Sequence, residues 1–230
     1  REQVDNDEAW PNISTVFDDS WGTIAKKLGD DAVADLVIET DEGPSLIPAH
    51  PGLDTLDSDL GNIDDARERY TRLEQFLDDY VDPLDYDVVL IDLPGMTNNV
   101  TYNGLWAARH AITPVEMGPF EAEQADALRR DLEKIAENFS VDIELSLVLP
   151  NKVDTRTNLA EEYLSSFETE YSDSIAPDYV PYSQDIRNAA QRGSTAFDLE
   201  NPSTTAQAAR DAYLAAAETL MTRLEEKIHV

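Results

Sequence analysis

The sequence predicts an α/β fold: a three-layer, doubly wound arrangement with helices on both faces of a mostly parallel sheet and right-handed crossovers. Two observations predict it. Short apolar runs at 88–91, 111–115 and 143–149 read as buried strands, and stretches with apolar residues at steps of three and four stand between them. At 230 residues, 41% of them hydrophobic, the chain can bury a core of ordinary domain size, so residues 1–230 are expected to form a single domain.

Ile13, Phe17, Ile24 and Leu28 fall on one helical face and predict a helix ending near Gly29. Leu36-Val37-Ile38 and Leu46-Ile47 flank Asp41-Glu42-Gly43, a turn composition that predicts a hairpin or two short strands. Ala66, Tyr70, Leu73, Leu77 and Tyr80 predict an amphipathic helix that runs to Pro83. Val88-Val89-Leu90-Ile91 follows as a β-branched and apolar run, the pattern of a strand covered on both faces, and stops at Asp92-Leu93-Pro94-Gly95. The alternation then repeats with a helix over 102–109, a strand over 111–115 and a helix carrying Ala125, Leu128, Leu132, Ile135 and Phe139. A strand over 143–149 is followed by a helix with Leu159, Tyr163, Phe167 and Tyr171, and by the short segment Tyr179-Val180-Pro181. Ala209, Tyr213, Leu220, Leu224 and Ile228 mark a long terminal helix.

Charge narrows the setting. There are 17 Lys+Arg against 48 Asp+Glu, a formal net charge of -31. Pairs such as Asp18-Asp19, Asp64-Asp65, Asp78-Asp79 and Glu161-Glu162 stand beside apolar positions at helical spacing, so they read as solvated helix faces and not as disorder. Carboxylate in this excess with little lysine points to adaptation to high salt, where self-repulsion is screened, and hence to a haloarchaeal type of source. The absence of cysteine excludes disulfides and thiolate metal sites, and the scattered His50, His110 and His229 argue against zinc. No run of about 18 apolar residues and no charged segment leading into an apolar one is present, so neither a membrane-spanning helix nor a signal peptide is expected and a cytoplasmic location is.

In doubly wound folds ligands bind beyond the carboxyl ends of the strands. Two strands end informatively. Asp92 terminates the apolar run 88–91, the form of a Walker B element whose carboxylate holds Mg²⁺, often through water, beside a nucleotide phosphate. Its plain alternative is an aspartate capping the next turn. Asn151-Lys152-Val153-Asp154 follows the strand over 143–149, and an amide and a carboxylate there suit the edge of a purine base. Asn and Asp are also ordinary turn and N-cap residues. Asp92-Leu93-Pro94-Gly95 and Asn151-Lys152-Val153-Asp154 match D-x-x-G and N-K-x-D as well, which opens a GTPase reading.

The rest of the chain resembles the ParA/Soj/MinD-like deviant P-loop ATPases. Tyr86-Asp87-Val88-Val89-Leu90-Ile91-Asp92-Leu93-Pro94 resembles that family's Walker B segment, Tyr102-Asn103-Gly104-Leu105-Trp106-Ala107-Ala108 its next helix, and Ile112-Thr113-Pro114-Val115-Glu116 its next strand. Residues 151–158, 180–190, 193–198 and 43–49 resemble further segments in the family's order, so the resemblance covers most of positions 35–225. It implies a P-loop NTPase-like sheet, ATP and Mg²⁺ as cofactors, and a role in chromosome or plasmid partitioning. An ATP-dependent homodimer, a ParB-like partner and non-specific DNA are implied with it, and no membrane association.

Under the resemblance Asp92 would orient Mg²⁺, Pro94 and Gly95 would shape the loop that senses the γ-phosphate, Asn151 would bond the adenine, and Pro181 and Tyr182 would wall the base pocket. Arg187 and Arg192, with Arg210 as a further candidate, stand where the family contacts DNA. Nothing in the chain matches G-x-x-x-x-G-K-[ST] or its deviant form. The expectation is therefore an N-terminally truncated domain lacking the first β-α-β unit, on the order of 50 residues. No catalytic residue is assigned, because the family places those groups in the missing segment. A P-loop-less pseudo-ATPase adaptor and the GTPase stand as alternatives.

Overall fold

The computed structural model describes residues 9–29, 31–40, 43–84 and 86–228. The chain divides into two compact units, Arg1–Arg109 and His110–Val230, taken here in turn.

In the first unit, Asn12 opens a 3₁₀ turn over Ile13–Phe17 by accepting from the Ser14 N–H at 3.0 Å. Asp18 is extended there, and its carboxylate accepts the Ser20 N–H at 2.7 Å, so the expected single helix is broken. Its second half is α1, Trp21–Leu28, closed by Gly29 at φ 68°, a conformation open to glycine without strain. α2 is Asp31–Ala34. Of the expected hairpin, one antiparallel bridge forms, Ile38 with Leu46. Asp41 and Glu42 of its turn lie outside the described residues. α3 is Leu53–Gly61, a helix that the apolar spacing did not predict.

The periodic stretch from Ala66 is helical but not continuous. α4, Ala66–Tyr70, is followed by α5, Arg72–Phe76, then by a π turn over Leu77–Val81 and a 3₁₀ turn over Asp82–Leu84. The break falls at Thr71, where the backbone leaves the helical region (φ -98°, ψ 6°). Trp21, Phe76 and Tyr80 form the aromatic centre of the core, with ring centroids 5.6–6.1 Å apart.

One expected strand is corrected. Among the described residues 88–91 form no strand, and Val88, Val89 and Leu90 are 43%, 46% and 77% exposed. An apolar run becomes a strand only where neighbouring backbones take up its N–H and C=O groups, and no ladder is made here. Ile91 is the member of the run packed against the core. α6, Asn99–Ala108, follows as expected, capped by the Asn98 side chain and ended by Arg109 in the left-handed region (φ 61°).

The second unit is built on two parallel strands, β1 (His110–Val115) and β2 (Glu144–Pro150), joined through the long helix α7 (Pro119–Phe139). This is the predicted alternation. Side chains alternate along β2, so Val148 packs with Val115, Ala125, Phe167 and Tyr171, whereas Leu147 and Leu149 pack with the other cluster. α8 (Asn158–Glu170) supplies Phe167 on the first side. α10 (Thr204–Ile228) supplies Ala209, Ala212 and Ala216 on the second. Both faces of β2 are therefore covered, the three-layer pattern expected. A ragged extended segment runs beside β2: Val148 N–H donates to Ser174, Ala176 N–H returns to Val148, and Val180 N–H donates to Pro150, all at 2.8 Å. α9 (Gln184–Gln191) is capped by Ser183.

The amino end of β2 is fastened to the last turns of α10. Arg223 donates to the carbonyls of Ser146, Ser174 and Ile175, and Lys227 pairs with Glu144 at 2.7 Å. Burial would raise the Glu144 carboxyl, but the Lys227 and Ser146 bonds outweigh it and hold it below 4.5. A carboxyl lowered by folding stabilises above its unfolded pKa, and that contribution is lost as pH falls through the folded one. Both groups are more than a third exposed, so solvent screening leaves about 0.5 kcal/mol. Lys227→Ala is expected to lower stability by that amount at pH 7 and by nothing measurable near pH 3, read by urea unfolding at the two pH values. An equal loss at both would reject the ion-pair account.

Candidate functional site

The sequence-selected residues fall into one group in each unit. In the first unit, Asp92, Pro94 and Gly95 are exposed on a segment without regular structure. It is nonetheless fixed to α6 at three points. Leu93 lies over Gly104, where an added Cβ would sit 2.5 Å from Leu93 Cδ2. Thr101 Oγ1 donates to the Met96 carbonyl at 2.7 Å, and the Asn98 side chain caps α6 through the Thr101 N–H at 2.8 Å. α6 is held in turn by Asn99, whose N–H and side-chain amide both donate to Asp57, and by the fully buried Asn103. Asn103 Nδ2 donates to the carbonyls of Arg69 and Asn99 at 2.9 Å, and its Oδ1 accepts the Leu73 N–H at 3.3 Å, across the break between α4 and α5.

Among the described residues no three His, Cys, Asp or Glu side chains are grouped to hold a metal ion. Asp92 as a single exposed carboxylate fits a cation that takes its other ligands from water and phosphate, not a closed all-protein site.

In the second unit, the loop after β2 and the segment before α9 are brought together. Asn151 N–H donates to the Val115 carbonyl at 2.8 Å, Val153 N–H to Val180 and Tyr182 N–H to Val153 at 3.0 Å, which sets Val153 and Pro181 in register. A cleft of about 880 Å³ opens there, lined by Val153, Asp154, Arg156, Pro181, Tyr182 and Asp185 among others. Pro181 and Tyr182 are both in its lining. Asn151 is not in the lining but stands two residues before Val153, half-buried at the carboxyl end of β2.

Asp154 is held by Arg156 through two bonds, Nε to Oδ1 at 2.7 Å and Nη2 to Oδ2 at 2.6 Å, which bring its carboxyl down to about 2. The Ser203 side chain and N–H likewise lower the Asp185 carboxyl, the N–H donating to it at 3.1 Å. Guanine presents N–H groups that need a free acceptor. Arg156 therefore competes with a guanine N–H for the exposed Asp154 oxygens.

The candidate DNA residues lie on and beside α9. Arg187 Nη1 donates to the Tyr182 hydroxyl at 3.3 Å, and Arg192 is exposed at the C-cap. Five positions of helix separate them by about 140°, so they do not form a stripe. Arg210 is corrected: its guanidinium donates to the carbonyls of Ala196, Phe197 and Leu199 and is a structural clamp. The sequence carried no signal for that.

Compared with known proteins, residues 3–145 match the family model described as an AAA domain. The chain is similar to the chromosome partitioning protein ParA of Caulobacter vibrioides, 26% identical over 203 residues that cover 87% of this chain and 73% of that protein. Among solved structures it resembles cobyrinic acid a,c-diamide synthase of Mycobacterium smegmatis with bound ADP and magnesium (TM-score 0.61, 21% identity, 83% of this chain and 76% of that one). It also resembles a putative plasmid partition protein of Borrelia burgdorferi bound to AMPPNP (TM-score 0.65, 15% identity, 98% and 78%). At these identities the structures speak for the fold. Among the described residues no helix is long and apolar enough to cross a membrane.

Proposed function

The chain belongs to the AAA domain family of ParA- and Soj-like P-loop ATPases, and from that premise we propose that it works as a partitioning ATPase for chromosomes or plasmids. The observation that carries the proposal is the junction of Val153 with Pro181 at the carboxyl ends of two parallel strands, where the Asn151 loop and Tyr182 flank one cleft. That cleft would take the adenine, with Pro181 and Tyr182 as its wall and Asn151 at its edge. Asp92 would hold Mg²⁺ through water, and Pro94 and Gly95 would follow the terminal phosphate. When bound, Mg²⁺ supplies charge neutralisation to the phosphates. This chain's own contribution is a base cleft in the second unit and a candidate metal ligand in the first. The backbone amides and lysine that would cradle the phosphates have no counterpart within its 230 residues. An adaptor that keeps the fold without turnover is the alternative reading.

An ATP-bound homodimer, a ParB-like partner and non-specific DNA contacted through Arg187 and Arg192 complete the proposal, in a cytoplasmic setting of high salt. The net charge of -31 leaves DNA affinity dependent on few cations, so it should be weak and fall only shallowly with salt, with a log–log slope of about -2 for two phosphate contacts. The test is titration of protein expressed from the complete coding sequence with ATP and GTP, with Mg²⁺ in molar salt. Saturable binding that prefers ATP by about tenfold or more is expected, a margin of about 1.4 kcal/mol. Preference for GTP rejects the base assignment, and ATP binding without phosphate release selects the adaptor. DNA retention in low salt by the same protein is expected to be lost in Arg187→Glu/Arg192→Glu.

A further inference from the structure

We propose that Tyr213 of the terminal helix is a positioning residue for the base: together with the Lys152 backbone it fixes the Asn151 carboxamide so that Nδ2, a donor, reads a ring nitrogen of the purine. The inference rests on the nucleotide reading above and gives that site a device that positions the purine.

A carboxamide has an accepting oxygen with two lone pairs and a donating nitrogen with two hydrogens. At Asn151 the oxygen is occupied from both sides. The Lys152 N–H donates to Oδ1 at 3.0 Å, and the Tyr213 hydroxyl approaches the same atom at 3.4 Å. Nδ2 has no bond to a described residue. Rotating the amide by half a turn would set an N–H group against the Lys152 N–H, so the Lys152 backbone chooses the orientation and the Tyr213 hydroxyl, donating to the oxygen so placed, holds it.

The donors themselves are held. Lys152 lies at φ 51°, in the left-handed region that a side-chain-bearing residue seldom occupies, and its ammonium pairs with Glu116 at 2.6 Å. Asn151 is pinned by its own N–H on Val115. Tyr213 is half-buried and packs against the Leu147, Leu149 and Val180 cluster. Burial raises its hydroxyl above its ordinary 10, so it stays a protonated donor throughout the range in which the protein works.

A group that offers only N–H bonds acceptors. On adenine those are the ring nitrogens N1, N3 and N7, while the 6-amino group is itself a donor. Removing the 6-amino group should therefore leave the Asn151 contact intact, and replacing the right ring nitrogen by C–H should delete it.

The experiment compares dissociation constants of ATP, purine riboside triphosphate and the 1-, 3- and 7-deaza analogues of ATP for wild type and Tyr213→Phe, using protein from the complete coding sequence. In wild type one deaza analogue is expected to bind about tenfold more weakly than ATP, and the purine riboside triphosphate within about threefold. In Tyr213→Phe that deaza penalty should shrink below about threefold, a change that loss of packing alone would not produce. Tyr213→Leu also removes the hydroxyl and is read in the same way should the phenylalanine variant not fold. A deaza penalty that is equal in wild type and variant overturns the role of Tyr213. Absence of any deaza penalty in a wild type that binds ATP overturns the role of Asn151. No ATP binding by wild type brings down the nucleotide reading itself, and this assignment with it.

Discussion

Asn103→Ala is expected to lower the stability of the first unit by about 3 kcal/mol, one of the two largest effects that the structure predicts. The side chain is fully buried and bonds three backbone groups, the carbonyls of Arg69 and Asn99 and the N–H of Leu73. Two of them flank a helix break. Leu73 N–H and Arg69 C=O flank Thr71, where α4 stops and α5 begins, so neither finds its ordinary helical partner there. Removing the amide leaves these groups away from water, at about 1 kcal/mol or more apiece, and adds a small cavity. Urea unfolding followed by circular dichroism measures the change. A loss below about 1 kcal/mol would mean that water replaces the amide and that Asn103 is not the joint between α6 and the broken helix.

Gly104→Val is expected to weaken Mg²⁺-dependent nucleotide binding by about tenfold or more while the protein remains folded. The added Cβ would stand 2.5 Å from Leu93 Cδ2, and the branched methyls would press further, so Leu93 must leave the surface of α6. Leu93 is the apolar anchor between Asp92 and Pro94, and its displacement carries the proposed metal ligand with it. Overpacking of this kind costs about 1–3 kcal/mol, and a few tenths are returned because valine is a better helix former than glycine. The discriminating readout is therefore the comparison of ATP affinity with and without Mg²⁺. If the variant loses stability but keeps the metal dependence of the wild type, the segment 92–95 does not place a metal.

The strongly periodic elements were legible in the sequence. α7, α8, α10 and the pair β1 and β2 stand where apolar spacing put them, because each buries one continuous stripe or run against a neighbour. The failures share a cause. Ile13 to Leu28 and Ala66 to Tyr80 keep a helical phase across Asp18 and Thr71, yet local hydrogen bonds from Asp18 and Asn103 stabilise breaks that hydrophobic periodicity does not register. At 88–91 composition specifies a preference for strand, but pairing is a property of other segments.

For the site, Pro181 and Tyr182 came from likeness to a family, and the structure sets both in the lining of one cleft. The partner that orients Asn151 lies 62 residues away on another element, and Arg210 serves a loop 11 to 14 residues before it. Neither connection leaves a pattern along the chain.

Arg210 has a mechanical consequence. By donating to the carbonyls of Ala196, Phe197 and Leu199, it ties the loop that displays the half-exposed ring of Phe197 to the terminal helix. That helix in turn rests its alanines on the strand leading to Asn151. A continuous chain of contacts thus links an exposed aromatic ring to the strand end that carries Asn151.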